Sequence, residues 1–166
     1  VPIPRGNWQE TVLPKAQAIK AGLEASGIRV MLDARDSYTP GWKFSEWEMR
    51  GVPLRLEIGP RDIEKSQVLL VRRDTREKLP ADFDGLETCV HELLGQIQNE
   101  LFKQALKFRE EHTVRVSSYE DFQEMMKGRP GFVIASWCGS SACEMQLKTE
   151  TQATIRNLPF NSSLSD

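Results

Sequence analysis

The chain has 166 residues, with 39% hydrophobic and 28% charged residues, enough for one ordinary domain with or without a small appendage, and a composition that excludes a disordered chain. Its formal net charge of -2 excludes a general nucleic-acid-coating protein, which is strongly basic. No apolar run approaches the roughly 18 residues of a membrane helix.

The N-terminal stretch "VPIPRGNWQE" lacks the basic start and apolar core of a signal peptide, so an intracellular, cytoplasmic location is expected. "VPIP" reads as the end of a buried strand that begins upstream. Residues 14 to 26 place Ala16, Ile19 and Leu23 on one helical face, with Pro14 tolerable in the first turn and Gly27 suited to the stop. "IRVMLDAR", residues 28 to 35, predicts a strand. After the turn-forming "DSYTPG", residues 42 to 50 predict a short helix whose Trp42, Phe44, Trp47 and Met49 cannot all point one way, so part of that aromatic surface is expected to stay exposed.

"VPLRLEIG" alternates, with Leu54, Leu56 and Ile58 on one side and Arg55 and Glu57 on the other, as a strand does. "QVLLVRRD" is apolar on both faces from Val68 to Val71, which predicts a strand covered on both sides of an α/β sheet. Leu86, Val90, Leu93, Leu94, Ile97, Leu101, Ala105 and Phe108 recur at three- and four-residue steps, predicting a long helix that packs across the sheet. A division is expected near residue 113, giving units 1–112 and 113–166. Ser117 followed by Glu120 gives a capping-box start for a further helix, with Gly128, Pro130 and Gly131 ending it. "FVIASW" predicts a short strand, "SACEMQLKTET" a short helix, "ATIRNLPF" an extended piece and "NSSLSD" a frayed tail.

Cys89 lies within the long helical pattern and reads as a small buried apolar residue. His91 and His112 have no second ligand-like residue at a convincing spacing and read as ordinary helix histidines. No phosphate-cradling glycine loop, no nucleophile with its base and no dinucleotide fingerprint is present, so catalysis is not expected in this chain.

The central segment carries the functional argument. From Arg50 to Lys78 there are eight Lys or Arg against five Asp or Glu, which focuses positive potential on one region of an acidic chain. Arg55 and Glu57 share a strand face. On solvent they would be ordinary surface charges. Beside an exposed aromatic such as Phe44 they acquire another use: a ring stacks on an unpaired base, worth about 1–3 kcal/mol, while Arg and Glu read base edges. Guanine suits such a set, since one edge donates to a carboxylate and another accepts from a guanidinium.

"DARDSYTPGWKFSEWEMRGVPLRLEIGPRD" followed by "VLLVRRDT" resembles the C-terminal anticodon-binding domain of class II aminoacyl-tRNA synthetases. Within that class it is similar to the prolyl-tRNA synthetases of archaeal and eukaryotic type, from "VPIP" to "TIRNLPF". The resemblance implies a three-layer α/β/α domain with a mixed sheet, followed by a small α/β module that is zinc-ribbon-like or degenerate. It implies binding to the anticodon of proline tRNA, whose second and third bases are guanine. Carried onto this sequence, it makes Phe44 a stacking residue, Glu48 and Arg55 guanine readers, and Lys43, Glu46 and Arg61 neighbours that orient or contact the RNA. Trp42 and Trp47 are expected as packing beneath the site, and Arg72 and Arg73 either as phosphate contacts or as solvated strand-end charges.

The resemblance further implies a parent proline–tRNA ligase, a homodimer with no membrane association. Its ATP-binding catalytic domain lies outside this chain and is a partner of it. In the small module "WCGSSACE" matches the first half of a four-cysteine zinc site, with Cys138 and Cys143 at a spacing acceptable for half of one. Two thiolates alone rarely hold structural zinc, so free cysteines and no cofactor are expected unless residues beyond Asp166 complete the site. The competing reading is an α/β domain that kept the fold and serves as a protein-interaction or regulatory module.

Overall fold

A computed structural model describes residues 1–128, 131–158 and 160. The chain divides into two compact units, Val1–Phe102 and Lys103–Asp166. In the first, a four-residue helix α1 (Trp8–Thr11) leads into α2 (Leu13–Ala25), then α3 (Pro40–Met49), strand β1 (Leu54–Glu57), α4 (Pro60–Glu64), β2 (Gln67–Arg72), β3 (Lys78–Asp82) and α5 (Leu86–Glu111), which continues into the second unit.

The sheet has the order β1-β2-β3 and is antiparallel, with Leu56 opposite Leu70 and Leu70 opposite Leu79. A parallel bridge from Pro2 to Ile58 at the end of β1 makes the pairing mixed. One face of the sheet, through Leu54, Leu56, Ile58, Val68 and Leu70, meets Trp8, Val12, Ala16 and Leu23 of the α1–α2 region and Leu86, Val90 and Leu93 of α5. The other face of β1 is covered by α3, whose Phe44 and Glu48 lie against Arg55. Helices on both sides of a sheet make the fold an α/β/α arrangement.

Three expectations are corrected. The strand expected over residues 28–35 joins no ladder. Ile28, Val30, Leu32 and Ala34 do alternate towards the core, but apolar alternation fixes which side chains are buried and leaves backbone pairing open. Residues 28–32 line a cavity of about 220 Å³ together with residues 52–56. On α5, burial ends with Ile97: Leu101, Phe102 and Phe108 are exposed, so the helix covers the sheet with its first half only. Arg72 is neither a phosphate contact nor solvated. It is buried, donating to both Asp74 oxygens at 3.1 and 2.6 Å and to Glu100 at 2.6 Å, and these carboxylates hold its guanidinium firmly protonated. Arg73, next to it, is exposed.

The second unit carries β4 (Thr113–Arg115), α6 (Tyr119–Met126), β5 (Phe132–Ile134) and α7 (Ser141–Thr151), with β4 parallel to β5. The cap of α6 falls one residue later than expected, Ser118 Oγ accepting from Asp121 N–H at 3.0 Å. Gly131, expected to help end α6, serves strand pairing instead: a Cβ there would stand 2.3 Å from the His112 carbonyl oxygen, so only glycine lets Phe132 N–H reach that carbonyl at 2.6 Å. Glu150 of α7 accepts from Tyr119 and Gln123 of α6 at 2.6 and 2.9 Å. Residues 153–158 are neither helix nor strand, and the expected tail lies outside the described residues. No helix among the described residues is long and apolar enough to cross a membrane.

Candidate nucleic-acid interface

The central segment is held by local chemistry at both ends of α3. Thr39 caps its start, Oγ1 accepting from Trp42 N–H, and Pro40 fills the first turn where no N–H is needed. At the other end Gly51 takes φ +82°, its N–H reaching the Glu48 carbonyl at 3.0 Å while Val52 N–H reaches that of Trp47 at 3.1 Å. This is the paired termination that a left-handed glycine permits. Pro53 then blocks any helical continuation, and β1 begins at Leu54. The tight turn brings the last turn of the helix beside the first residues of the strand.

Two polar clusters result, one on each flank of α3. Phe44 and Glu48, one helical turn apart, face Arg55. The Arg55 guanidinium carbon lies 4.0 Å from the Phe44 ring centre. Its Nη1 donates to Glu48 at 2.7 Å and its Nε to Glu57 at 2.9 Å. The second Glu48 oxygen accepts from Arg76 Nη1 at 2.8 Å, Arg76 itself sitting in a turn at φ +64°. Arg55 and Glu48 side chains retain 13% and 22% exposure: desolvated enough to strengthen charge-assisted bonds, open enough for a ligand to reach. The hydrogen bond from Arg55 lowers the pKa of Glu48, outweighing its partial burial, so the carboxylate stays ionised.

On the opposite flank the central carboxylate, Asp33, is buried. Asp33 accepts from Arg35 Nε and Nη2 at 2.9 and 2.7 Å and from Trp47 Nε1 at 2.9 Å. Lys43, 1% exposed, approaches its carbonyl at 3.5 Å and its carboxylate at 3.9 Å. The Arg35 bonds, ahead of the opposing effect of burial, hold the Asp33 carboxyl well below the usual carboxylate range. Glu46 accepts from Arg35 and Arg50, each at 2.6 Å.

Of the residues singled out from the sequence, Phe44, Glu48 and Arg55 are therefore brought together. Glu46 and Lys43 belong to the other cluster, and Lys43 is sealed, which leaves it an orienting place rather than a contacting one. Arg61 lies exposed on α4 and makes no ion pair with any of the others among the described residues. Trp47 packs as expected, but Trp42 is not beneath the site: it is 44% exposed and stacked on Tyr38. A lysine with a buried carboxylate partner takes the inward position that the tryptophan was expected to fill. Asp33, Arg35 and Arg76 escaped the sequence reading. The first two sit in a stretch whose apolar alternation drew attention to its other side chains. Arg76 is brought in by a turn.

In the second unit Cys138 and Cys143 are exposed and free. A hydrogen bond between the two thiols lowers the pKa of Cys138 and raises that of Cys143. No group of three or more His, Cys, Asp or Glu that could hold a metal ion occurs among the described residues. Two sulfurs supply half of a tetrahedral structural zinc site, so these residues by themselves do not fit one.

Residues 1–93 match the profile of the anticodon binding domain family, and residues 119–166 match that of the prolyl-tRNA synthetase C-terminal family. The chain is 49% identical over 158 residues to the Proline–tRNA ligase of Alkaliphilus oremlandii, covering 95% of this chain and 33% of that protein. It is 47% identical over 156 residues to Proline–tRNA ligase 2 of Clostridioides difficile, covering 94% and 32%. It is 46% identical over 162 residues to that of Natranaerobius thermophilus, covering 98% and 33%. The chain thus spans about a third of the length of the curated relatives it matches, and it belongs to the anticodon-binding domain family.

Proposed function

We propose that this member of the anticodon-binding family reads the two guanines in the anticodon of proline tRNA, as the recognition part of a proline–tRNA ligase. The parent enzyme would join proline to its tRNA with ATP in a catalytic domain outside this chain, as a cytoplasmic homodimer. Residues 1–112 would form the recognition domain and residues 113–166 a small module, which would take up zinc only if further ligands joined Cys138 and Cys143. The observation that carries the reading is the convergence of Phe44, Glu48 and Arg55 on one partly open flank of α3.

The chemistry is that of edge reading beside a stacking ring. Each Glu48 oxygen accepts one hydrogen bond from an arginine and, as a carboxylate oxygen, has a second lone pair left. Those lone pairs match the N1–H and N2–H of guanine, which adenine lacks on that edge. Arg55 uses its Nε–H and one Nη1–H on carboxylates, so among the described residues its Nη2 hydrogens remain for the guanine oxygen. The Arg55 guanidinium lies over one face of the Phe44 ring, its carbon 4.0 Å from the ring centre, so a base stacking on that face would displace it sideways. Displaced to that side, its free N–H groups would meet the base edge in plane. Lys43 and Glu46 orient α3 through Asp33 and Arg35, and Arg61 supports the RNA from α4.

The test is binding of the 166-residue chain to a proline-tRNA anticodon stem-loop, against stem-loops with either guanine replaced by adenine. Each replacement is expected to cost about 1–3 kcal/mol. Equal affinity for all three RNAs would remove the reading.

A further inference from the structure

We infer that Tyr38 and Trp42 form a second base-stacking platform, taking a nucleobase of the same single-stranded loop that flanks the bases read at Phe44; the inference rests on the reading given above. Their rings stack with centres 3.9 Å apart and planes 12° from parallel, yet the residues remain 40% and 44% exposed. Such a pair presents flat apolar area to water beside a site already suited to RNA.

The position of Arg35 decides what that area can accept. Its guanidinium carbon lies 4.9 Å from the Tyr38 centre and 5.3 Å from the Trp42 centre. Near-equal distances to two rings so closely stacked place the cation beside the pair. Capping an outer face would bring it much nearer one ring than the other. Arg35 is fixed there by Asp33 and Glu46, so it braces the stack without itself capping either outer face. Base–aromatic stacking of this kind tolerates any base, because every base has a π-face.

Helix geometry links the two platforms. Trp42 and Phe44, two residues apart, are about 200° apart around α3. Between them, on the outward side, runs a ridge of Gly41, Ser45 and Met49, all exposed. A Cβ added at Gly41 would meet nothing within 4 Å, and Ser45 folds its hydroxyl back onto the Gly41 carbonyl at 3.2 Å. The first two turns of the ridge are therefore low. The helix is about 10–12 Å across with its side chains, a distance an extended single strand covers in a few nucleotides. Arg50, on the Trp42 flank, adds a second exposed guanidinium for the phosphates. Exposed rings at Tyr38 and Trp42 with the Arg35 and Arg50 guanidinium groups beside them favour RNA as the occupant over an apolar protein partner.

The experiment measures affinity of the folded 166-residue chain and its Trp42→Ala, Trp42→Phe and Tyr38→Ala variants for the proline-tRNA anticodon stem-loop and its guanine-replaced forms. Trp42→Ala is expected to weaken binding roughly fivefold or more, equally for every RNA, so that the discrimination ratio stays within about twofold of wild type; Trp42→Phe restores most of the affinity. Folded Trp42→Ala and Tyr38→Ala proteins that bind as wild type overturn the platform while leaving guanine reading intact. Loss of affinity together with loss of discrimination also overturns it, since the rings would then act through the Phe44 cluster. A wild-type chain that binds without discriminating instead sinks the guanine reading, and the same Trp42 variants still decide the platform. Failure of the wild-type chain to bind any of these RNAs sinks both.

Discussion

The two flanks of α3 hold the same kinds of group, carboxylates bonded to guanidinium groups beside aromatic rings, and differ in how far the central carboxylate is closed off. At Asp33 the acceptor capacity of a buried carboxylate is taken by Arg35, Trp47 and the nearby Lys43. At Glu48 the arginines leave lone pairs and N–H groups over, and the cluster is partly open. A saturated, buried network specifies a conformation, whereas an open and incompletely used one can accept a ligand. Charge pattern alone does not distinguish these two cases. Capacity and access do.

The sharpest break in the comparison is Asp33→Ala, which leaves Lys43 buried without its partner. Thermal or urea unfolding is expected to show a loss of about 3–5 kcal/mol, against a much smaller loss for truncation of the open Glu48. Trp47→Phe removes the indole N–H that Asp33 accepts along with part of the ring, and is expected to cost about 1.5–3 kcal/mol or more in the same measurement, with guanine discrimination unchanged. Arg55→Lys keeps the charge and loses the planar fork. It should lower discrimination at one guanine by about 1–3 kcal/mol in stem-loop binding while moving the melting temperature little.

The smallest effect expected is that of pH. The folded-state pKa of Glu48 lies below its ordinary value of 4.5, so its ionised form contributes fully above that value and is lost only as pH falls through the lowered one. Guanine discrimination should therefore be flat between about pH 8 and pH 5. A decline with a midpoint near neutrality would show that another group controls recognition.

Much of this was legible in the sequence where periodicity and punctuation agree. The helix expected over residues 42–50 is present, though it starts at Pro40 because Thr39 caps it where a turn was expected, and the strand at "LRLE" follows from strict alternation. Phe44, Glu48 and Arg55 meet because the intervening turn is short and defined. Burial partners were less legible. Nothing local says that Lys43 turns inward, since that depends on Asp33, ten positions earlier, offering a buried oxygen. The unpaired stretch at residues 28–35 has the composition of a strand, and nothing in its local sequence says that its backbone joins no ladder. β3 was hidden by Pro80, which lowers strand propensity yet is tolerated on the sheet edge that β3 occupies.

The glycine turn at residue 51 carries a consequence for how this protein can vary. The offset between the carboxylate and the guanidinium is measured out by backbone: one left-handed residue, one proline and a fixed count between position 48 and position 55. Inserting or deleting a single residue there would swing Arg55 to the opposite side of the sheet, something no side-chain replacement could repair. Length, more than identity, is what this joint has to preserve.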